Sequence, residues 1–334
     1  MKYVPVVDLN QKPLMPCSEK RARKMIESGK GTPFWKKGVF CVRLNVEPSA
    51  RNYQEVAVGI DPGSKEEGVT VKSKAHDYLN IQMEAVQYVK ERVETRKNLR
   101  RARRFRKTPC RKNKINRSRG GLPPSTKARW GWKLRIISWL KRIFPITIIV
   151  IEDIKAKTKK FQRKWNKSFS PLEVGKKWFY EECEKLGKLI KIQGYQTAEI
   201  REKLGLKKLK NKLSTNFYAH CADSWVLASI GLGEEKGKPE NEKVLRIIPL
   251  KFHRRQLHKM NHEKGGIRKP YGGTRSLGFK RGSLVRHFKW GLSYVGGHSR
   301  GRLSLCSIET GKILNTWIKP EDCRFLTYLS WRFN

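Results

Sequence analysis

The stretch VAVGIDPGS (residues 56–64) reads as a buried strand that delivers a carboxylate and then turns. Val56 to Ile60 is apolar apart from Gly59, Asp61 closes the run, and Pro62-Gly63-Ser64 supplies the turn. Downstream, Gly68 to Val71 and Ile81 to Val86 continue it as a meander. A second run, ITIIVI (146–151), is continuously apolar, the mark of a strand covered on both faces, and Glu152 stands at its end. A third segment, NFYAHCADSWVLASI (216–230), reads as an apolar helix capped by Ser214 or Thr215. It carries Asp223 near its start, and His220, three residues earlier, shares that face of the helix.

Isolated acids are informative in this chain because it holds 75 Lys+Arg against 29 Asp+Glu in 334 residues, a formal charge of +46. Such a particle repels itself, and a polyanion is its natural partner. Two-metal hydrolysis of a phosphodiester needs hard oxygen ligands converging from separate parts of a chain, one ion activating water and the other stabilising the leaving oxygen. Asp61, Glu152 and Asp223 have that character, and His220 is placed to order the attacking water or take its proton. Each also has an ordinary reading: Asp61 as a turn former before Pro-Gly, Glu152 as a solvated strand end, His220 as a satisfied core histidine. In a ribonuclease-H-like fold, the ends of two such strands and the start of such a helix meet at one edge of the sheet.

Other classes fit poorly. The longest strongly apolar run is ITIIVI, far below the roughly 20 residues that a membrane-spanning helix needs. The N-terminus, MKYVPVVDLN, lacks a secretory pattern, so a cytoplasmic protein is expected. Seven widely spaced cysteines without any CxxC support neither a disulfide framework nor a zinc ribbon, and Cys221 reads as a small core residue.

The flanks are readable as well. Tyr3 to Val7 predicts a strand, Lys12 to Pro16 a turn, Ser18 the cap of a short basic helix ending at Gly29, and Val39 to Val46 a second strand. Gln87 to Lys107 predicts a helix of overwhelming positive charge; fifteen of residues 90–119 are Lys or Arg, too many for ordinary packing. Lys97, Arg100, Arg101, Arg103, Arg104 and Arg106 are its candidate phosphate contacts, because guanidinium forks bind phosphate oxygens in pairs and stay charged. A helix capped by Ser125 follows, then an amphipathic helix near 172–186 and a strand from Leu189 to Ile192. Residues 244–250 read as an extended exit. From 265 onward, short alternating segments (Leu284 to Phe288, Leu292 to Val295, Leu303 to Ser307, Ile313 to Ile318) suggest a small basic β domain, with Tyr271, Phe279, Phe288, Trp290, Tyr294 and Trp317 among its cations.

At these residues the chain resembles the OMEGA-type RNA-guided nucleases of transposons, in particular the IsrB group, the relatives of IscB that lack an HNH domain. PLMP (13–16) resembles the motif that names that family's N-terminal domain. VAVGIDPGS, IIVIEDIKA (148–156) and HCADSWVLA (220–228) resemble the three RuvC segments, and the Arg-rich run resembles the bridge helix. RRQLH (254–258), with Arg254 and Arg255 as RNA contacts, and KGGIRKPYGGT (264–274) resemble the stretch leading into the terminal domain. The resemblance implies a RuvC core split by a bridge helix: a PLMP domain over 1–50, RuvC segment I over 51–88, bridge helix and linker over 89–120, segment II over 121–165, segment III over 166–250, and a domain contacting RNA and the target-adjacent motif over 251–334. HNH chemistry needs histidine, and residues 153–219 contain none. The resemblance further implies Mg2+, two ions held by Asp61, Glu152 and Asp223 with His220 assisting. It implies one chain per structured guide (omega) RNA, a double-stranded DNA target, and a nick in the displaced strand. A RuvC-like junction resolvase without RNA and a catalytically idle RNA-binding accessory protein are the alternative readings.

Overall fold

The computed structural model describes residues 2–107, 121–154, 172–209, 211, 214–234, 236–250, 260–261, 266–267 and 275–334. The chain divides into two compact units, Met1–Arg246 and Ile247–Asn334.

The first unit opens with β1 (Tyr3–Val7), β2 (Pro13–Ser18), α1 (Glu19–Glu27), β3 (Gly31–Lys36) and β4 (Val39–Leu44), in a sheet of order β2-β1-β4-β3. The residues expected to turn, Lys12 to Pro16, instead enter strand β2. The turn lies earlier, where the Asp8 carboxylate accepts the Lys12 amide at 2.8 Å and Gln11 takes a left-handed conformation (φ 59°). Ser18 caps α1 as predicted, accepting the Arg21 amide. Met25 and Ile26 of that helix pack on Val4, Val6, Val42 and Leu44.

A larger mixed sheet follows. Its strands are β5 (Val56–Asp61), β6 (Glu66–Ser73), β7 (Asp77–Glu84), β8 (Ile148–Asp153) and β9 (Lys188–Gln193). The helices are α2 (Tyr88–Phe105), α3 (Pro124–Leu140), α4 (Lys176–Glu184), α5 (Gly194–Lys203) and α6 (Phe217–Gly231). Their order is β7-β6-β5-β8-β9, with β5, β6 and β7 antiparallel and β5, β8 and β9 parallel. Helix α3 begins at Pro124 rather than behind Ser125, and α6 is capped by Asn216, whose side chain accepts the Tyr218 amide, rather than by Ser214 or Thr215.

Strand alternation fixes which side chains face α6. Ala57, Ile148 and Val150 pack on Leu227 and Ala228 of α6 and on Leu232 just past its end, and the Thr70 hydroxyl bonds Ser224 at 2.9 Å. The opposite face meets α3, where Lys133 donates to Glu67 of β6 at 2.7 Å. Helix α6 lies so close to the sheet that two strand positions accept only glycine: a Cβ at Gly59 would stand 1.9 Å from the Ser224 carbonyl oxygen, and one at Gly68 1.9 Å from that of His220. Gly59→Ala is therefore expected to destabilise the chain by about 3 kcal/mol, the upper end for overpacking a tight core. Gly131→Ala in α3, where a Cβ meets nothing within 4 Å, gains about 1 kcal/mol from helix propensity. Denaturant midpoints of the two variants check this, and equal midpoints would refute the close seating of α6.

The second unit is a five-stranded antiparallel sheet built from Ile313–Ile318, Arg302–Ser307, Gly291–Ser299, Ser283–His287 and Cys323–Tyr328 in that order. Val285, Val295, Leu303, Leu305, Ile318 and Cys323 form one of its cores. Beside it, Ile247–Pro249 pair with Trp331–Phe333. Of the aromatics noted in the sequence, Tyr294 is buried while Phe288 and Trp317 are exposed; Tyr271 lies outside the described residues.

Candidate active site

Parity carries the acids to one place. Asp61 follows Ala57 and Gly59 at two-residue steps along β5, and Glu152 follows Ile148 and Val150 along β8, so both carboxylates project on the α6 side of the sheet. Asp223, in the second turn of α6 and buried, comes from the helix packed on that side. The adjacent parallel strands β5 and β8 end together, which sets Asp61 and Glu152 at the same edge.

Two cations join them. The Lys208 ammonium bonds Asp223 Oδ2 and stands 4.0 Å from Asp61 Oδ2; Arg201 Nη1 donates to Asp223 Oδ1 at 2.6 Å. Glu152 lies over the first residue of α5, where a Cβ on Gly194 would approach its Oε1 to 2.8 Å. The Asp61 carboxyl is pushed up to about 6, first by burial and then by the Asp223 charge, against the opposing pull of Lys208 and Arg201. Glu152 is pushed up to about 7, again by burial first and then by Asp61 and Asp223. In this poorly solvated corner the charge of Asp223 thus opposes ionisation of Asp61, and the charges of both oppose ionisation of Glu152, unless cations sit among them.

The neighbouring acid Asp153 differs. Burial alone would raise its pKa, but bonds from Lys176 (3.0 Å), Tyr180 (2.8 Å) and Gln193 (3.0 Å) hold it below the usual carboxylate range. With its oxygens already engaged, Asp153 ties α4 and β9 to β8. His220 is half-buried one turn before Asp223, and its field reaches Glu66 at the start of β6. Glu66 itself accepts a bond from Gln82 at 3.3 Å and lies 3.9 Å from Arg246, and burial raises it.

Asp61, Glu152, Asp223 and His220 were all singled out in the sequence. Lys208 and Arg201 were not: among 75 basic residues nothing local marks them. Among the described residues, no three His, Cys, Asp or Glu side chains stand together closely enough to hold one ion, and Lys208 and Arg201 engage the two oxygens of Asp223. The donor chemistry nevertheless suits a hard divalent cation: carboxylate oxygens converge, and an ammonium already fills the gap between two of them.

Helix α2 forms as predicted and buries none of its described side chains; even Leu99 and Phe105 are exposed. Arg100, Arg101, Arg104 and Arg106 face solvent, and Lys97 pairs loosely with Glu94 at 3.7 Å. The Arg103 side chain and the whole of Arg254 and Arg255 lie outside the described residues. No helix among the described residues is long and apolar enough to cross a membrane.

Residues 4–169, just under half of the chain, match the family model described as RRXRR protein. No curated protein matches the chain. Among solved structures, the chain is similar to T. thermophilus RuvC in complex with Holliday junction substrate, at 14% identity and a TM-score of 0.26. The match covers 52% of this chain and 90% of that one.

Proposed function

We propose that the protein is a RuvC-like, Mg2+-dependent DNA endonuclease guided by a structured RNA, which nicks the displaced strand of a DNA duplex beside a short target-adjacent motif. The observation that carries the nuclease reading is the convergence of Asp61, Glu152 and Asp223 from β5, β8 and α6 on one edge of a mixed sheet. The mixed strand order from β7 through β9, with β5, β6 and β7 antiparallel and β5, β8 and β9 parallel, supports a ribonuclease-H-like reading of the core.

In this reading Asp61, Glu152 and Asp223 would hold the divalent ions, whose chemistry would be to activate water and stabilise the leaving oxygen of the cut phosphodiester. Asp61 and Asp223 stand on opposite sides of the gap that Lys208 fills, and Glu152 on β8 feels the charges of both. His220, one turn before Asp223 on α6, would take the proton of the attacking water. Arg201 holds Asp223 in place through Oδ1.

Guidance rests on α2, the bridge-like helix. A helix that buries nothing and is studded with arginine finds its compensating charge in a nucleic-acid backbone, and a guide–target heteroduplex is recognised by its shape and phosphates while base pairing reads the sequence. Expression together with the DNA flanking the reading frame is expected to yield a complex with one defined RNA, and Mg2+ is expected to switch on single-strand nicking of matching DNA. A chain that purifies without a defined RNA would remove guidance; cutting of a four-way junction by that RNA-free chain would put a resolvase in its place. In the complex, replacing Arg100, Arg101 and Arg104 with Gln should lower the salt slope of RNA association by about 2 to 3, close to one for each phosphate that is no longer neutralised. An unchanged slope would show that those arginines face elsewhere.

A further inference from the structure

We infer that Lys208 is a built-in stand-in for a divalent cation: its ammonium occupies the space between Asp61 and Asp223, and an ion must displace it to enter. The inference rests on the reading of those carboxylates as an ion site and adds a residue that competes for it.

The geometry is that of a tethered cation. Lys208 bonds Asp223 Oδ2 and lies 4.0 Å from Asp61 Oδ2, so it bridges acids from α6 and β5. Its backbone is held at fixed points on either side. Leu204 and Leu206 are buried against Phe217, Cys221, Ala222 and Trp225, and the Leu209 amide donates to the Tyr218 carbonyl at 3.0 Å. The chain between these anchors has little room to withdraw, so the ammonium stays close to the carboxylates while its four-carbon stem can still swing. The Lys208 side chain is 41% exposed, which leaves it a path to solvent.

Arg201 makes the exchange possible. It holds Asp223 through the other oxygen, Oδ1, so departure of Lys208 frees Oδ2 without releasing the carboxylate from its place. The arrangement also explains how three poorly solvated acids remain assembled before any ion arrives: one mobile ammonium supplies the charge that an ion later replaces.

Mn2+ titration of the full chain, freed of nucleic acid at high salt and followed by electron paramagnetic resonance, tests this. Lys208→Gln and Lys208→Met are each expected to bind Mn2+ roughly tenfold more tightly than the unaltered chain, the size of one favourable charge pair of ~1.4 kcal/mol. Lys208→Arg, which keeps the charge, and Lys207→Gln, at the exposed neighbour, should bind as the unaltered chain does. Thermal unfolding identifies any variant that has lost its fold, and the Gln and Met variants serve as independent replacements. Equal or weaker binding in both, together with loss of binding in Asp61→Asn, would overturn the role of Lys208 and leave the ion site standing. Binding indifferent to Asp61→Asn, or absent in every variant, would overturn the ion site and the inference with it.

Discussion

Asp61→Asn is expected to lower the rate of DNA nicking by at least about 10³-fold while leaving RNA association and folding intact. The loss exceeds the 10- to 100-fold typical of a residue that merely supports a metal ligand, because the substitution replaces an anionic oxygen that would bind an ion directly. Folding is spared for a physical reason. Asp61 sits where burial and the charge of Asp223 disfavour ionisation, so a neutral amide of the same shape removes a strained charge rather than a stabilising one. Asp153→Asn is the informative contrast. That carboxylate, one residue past Glu152, is held in its ionised form by Lys176, Tyr180 and Gln193, so its loss should lower stability with a smaller effect on rate per folded molecule. A nicking assay in Mg2+ on both variants, with the folded fraction measured in parallel, separates the two roles. Full activity in Asp61→Asn would remove Asp61 from the chemistry.

The acids were legible because the signals that place them are long-range in meaning but local in form. A continuous apolar run is a strand covered on both faces, and the residue that closes it stands at a sheet edge; VAVGI and IIVI announce the positions of Asp61 and Glu152 in that way. What escaped reading has identifiable causes. Strands β2 and β3 contain Pro13, Pro16 and Pro33, and proline argues against a strand unless the strand lies at an edge; both are the outer strands of the N-terminal sheet. Helix α5 begins with Gly194, and its first turn is secured by glutamine, with Gln196 Oε1 accepting the Gln193 amide, instead of the Ser, Thr, Asp or Asn that usually marks a helix start. Arg201 and Lys208 could not be told from their neighbours because their meaning lies in what α6 and β5 bring beside them. Sequence periodicity gives the faces of elements; the partners of a charge become visible only when the elements are packed.

Lys133→Met should cost about 3 to 5 kcal/mol of stability near pH 8, the range for stranding one member of a buried ion pair. Lys133 and Glu67 are both fully buried, 2.7 Å apart, where α3 meets the sheet on the face opposite α6, and the ammonium also lies 4.7 Å from the Trp130 ring. Burial dominates the Glu67 carboxyl and pushes it up to about 7 even though Lys133 opposes the shift, and its Oε2 has no hydrogen-bond partner. A carboxyl whose constant is higher folded than unfolded takes up protons on folding between about 4.5 and 7, so its contribution to stability is greatest below that window and declines as pH rises through it. Removing Lys133 raises the folded constant further. At pH 5 Glu67 is protonated in both proteins and the substitution costs little, whereas at pH 8 the variant must bury an unpaired charge or hold a proton against solution. The destabilisation should therefore grow from pH 5 to pH 8. The double variant Glu67→Leu with Lys133→Met, which exchanges the whole pair for apolar groups, should recover most of the loss and abolish the pH dependence. Denaturant unfolding of the three proteins at both pH values decides the matter. A cost that is the same at pH 5 and pH 8 would mean that Lys133 matters through packing alone, and that the pair is no ionic clasp between α3 and the strand beside Asp61.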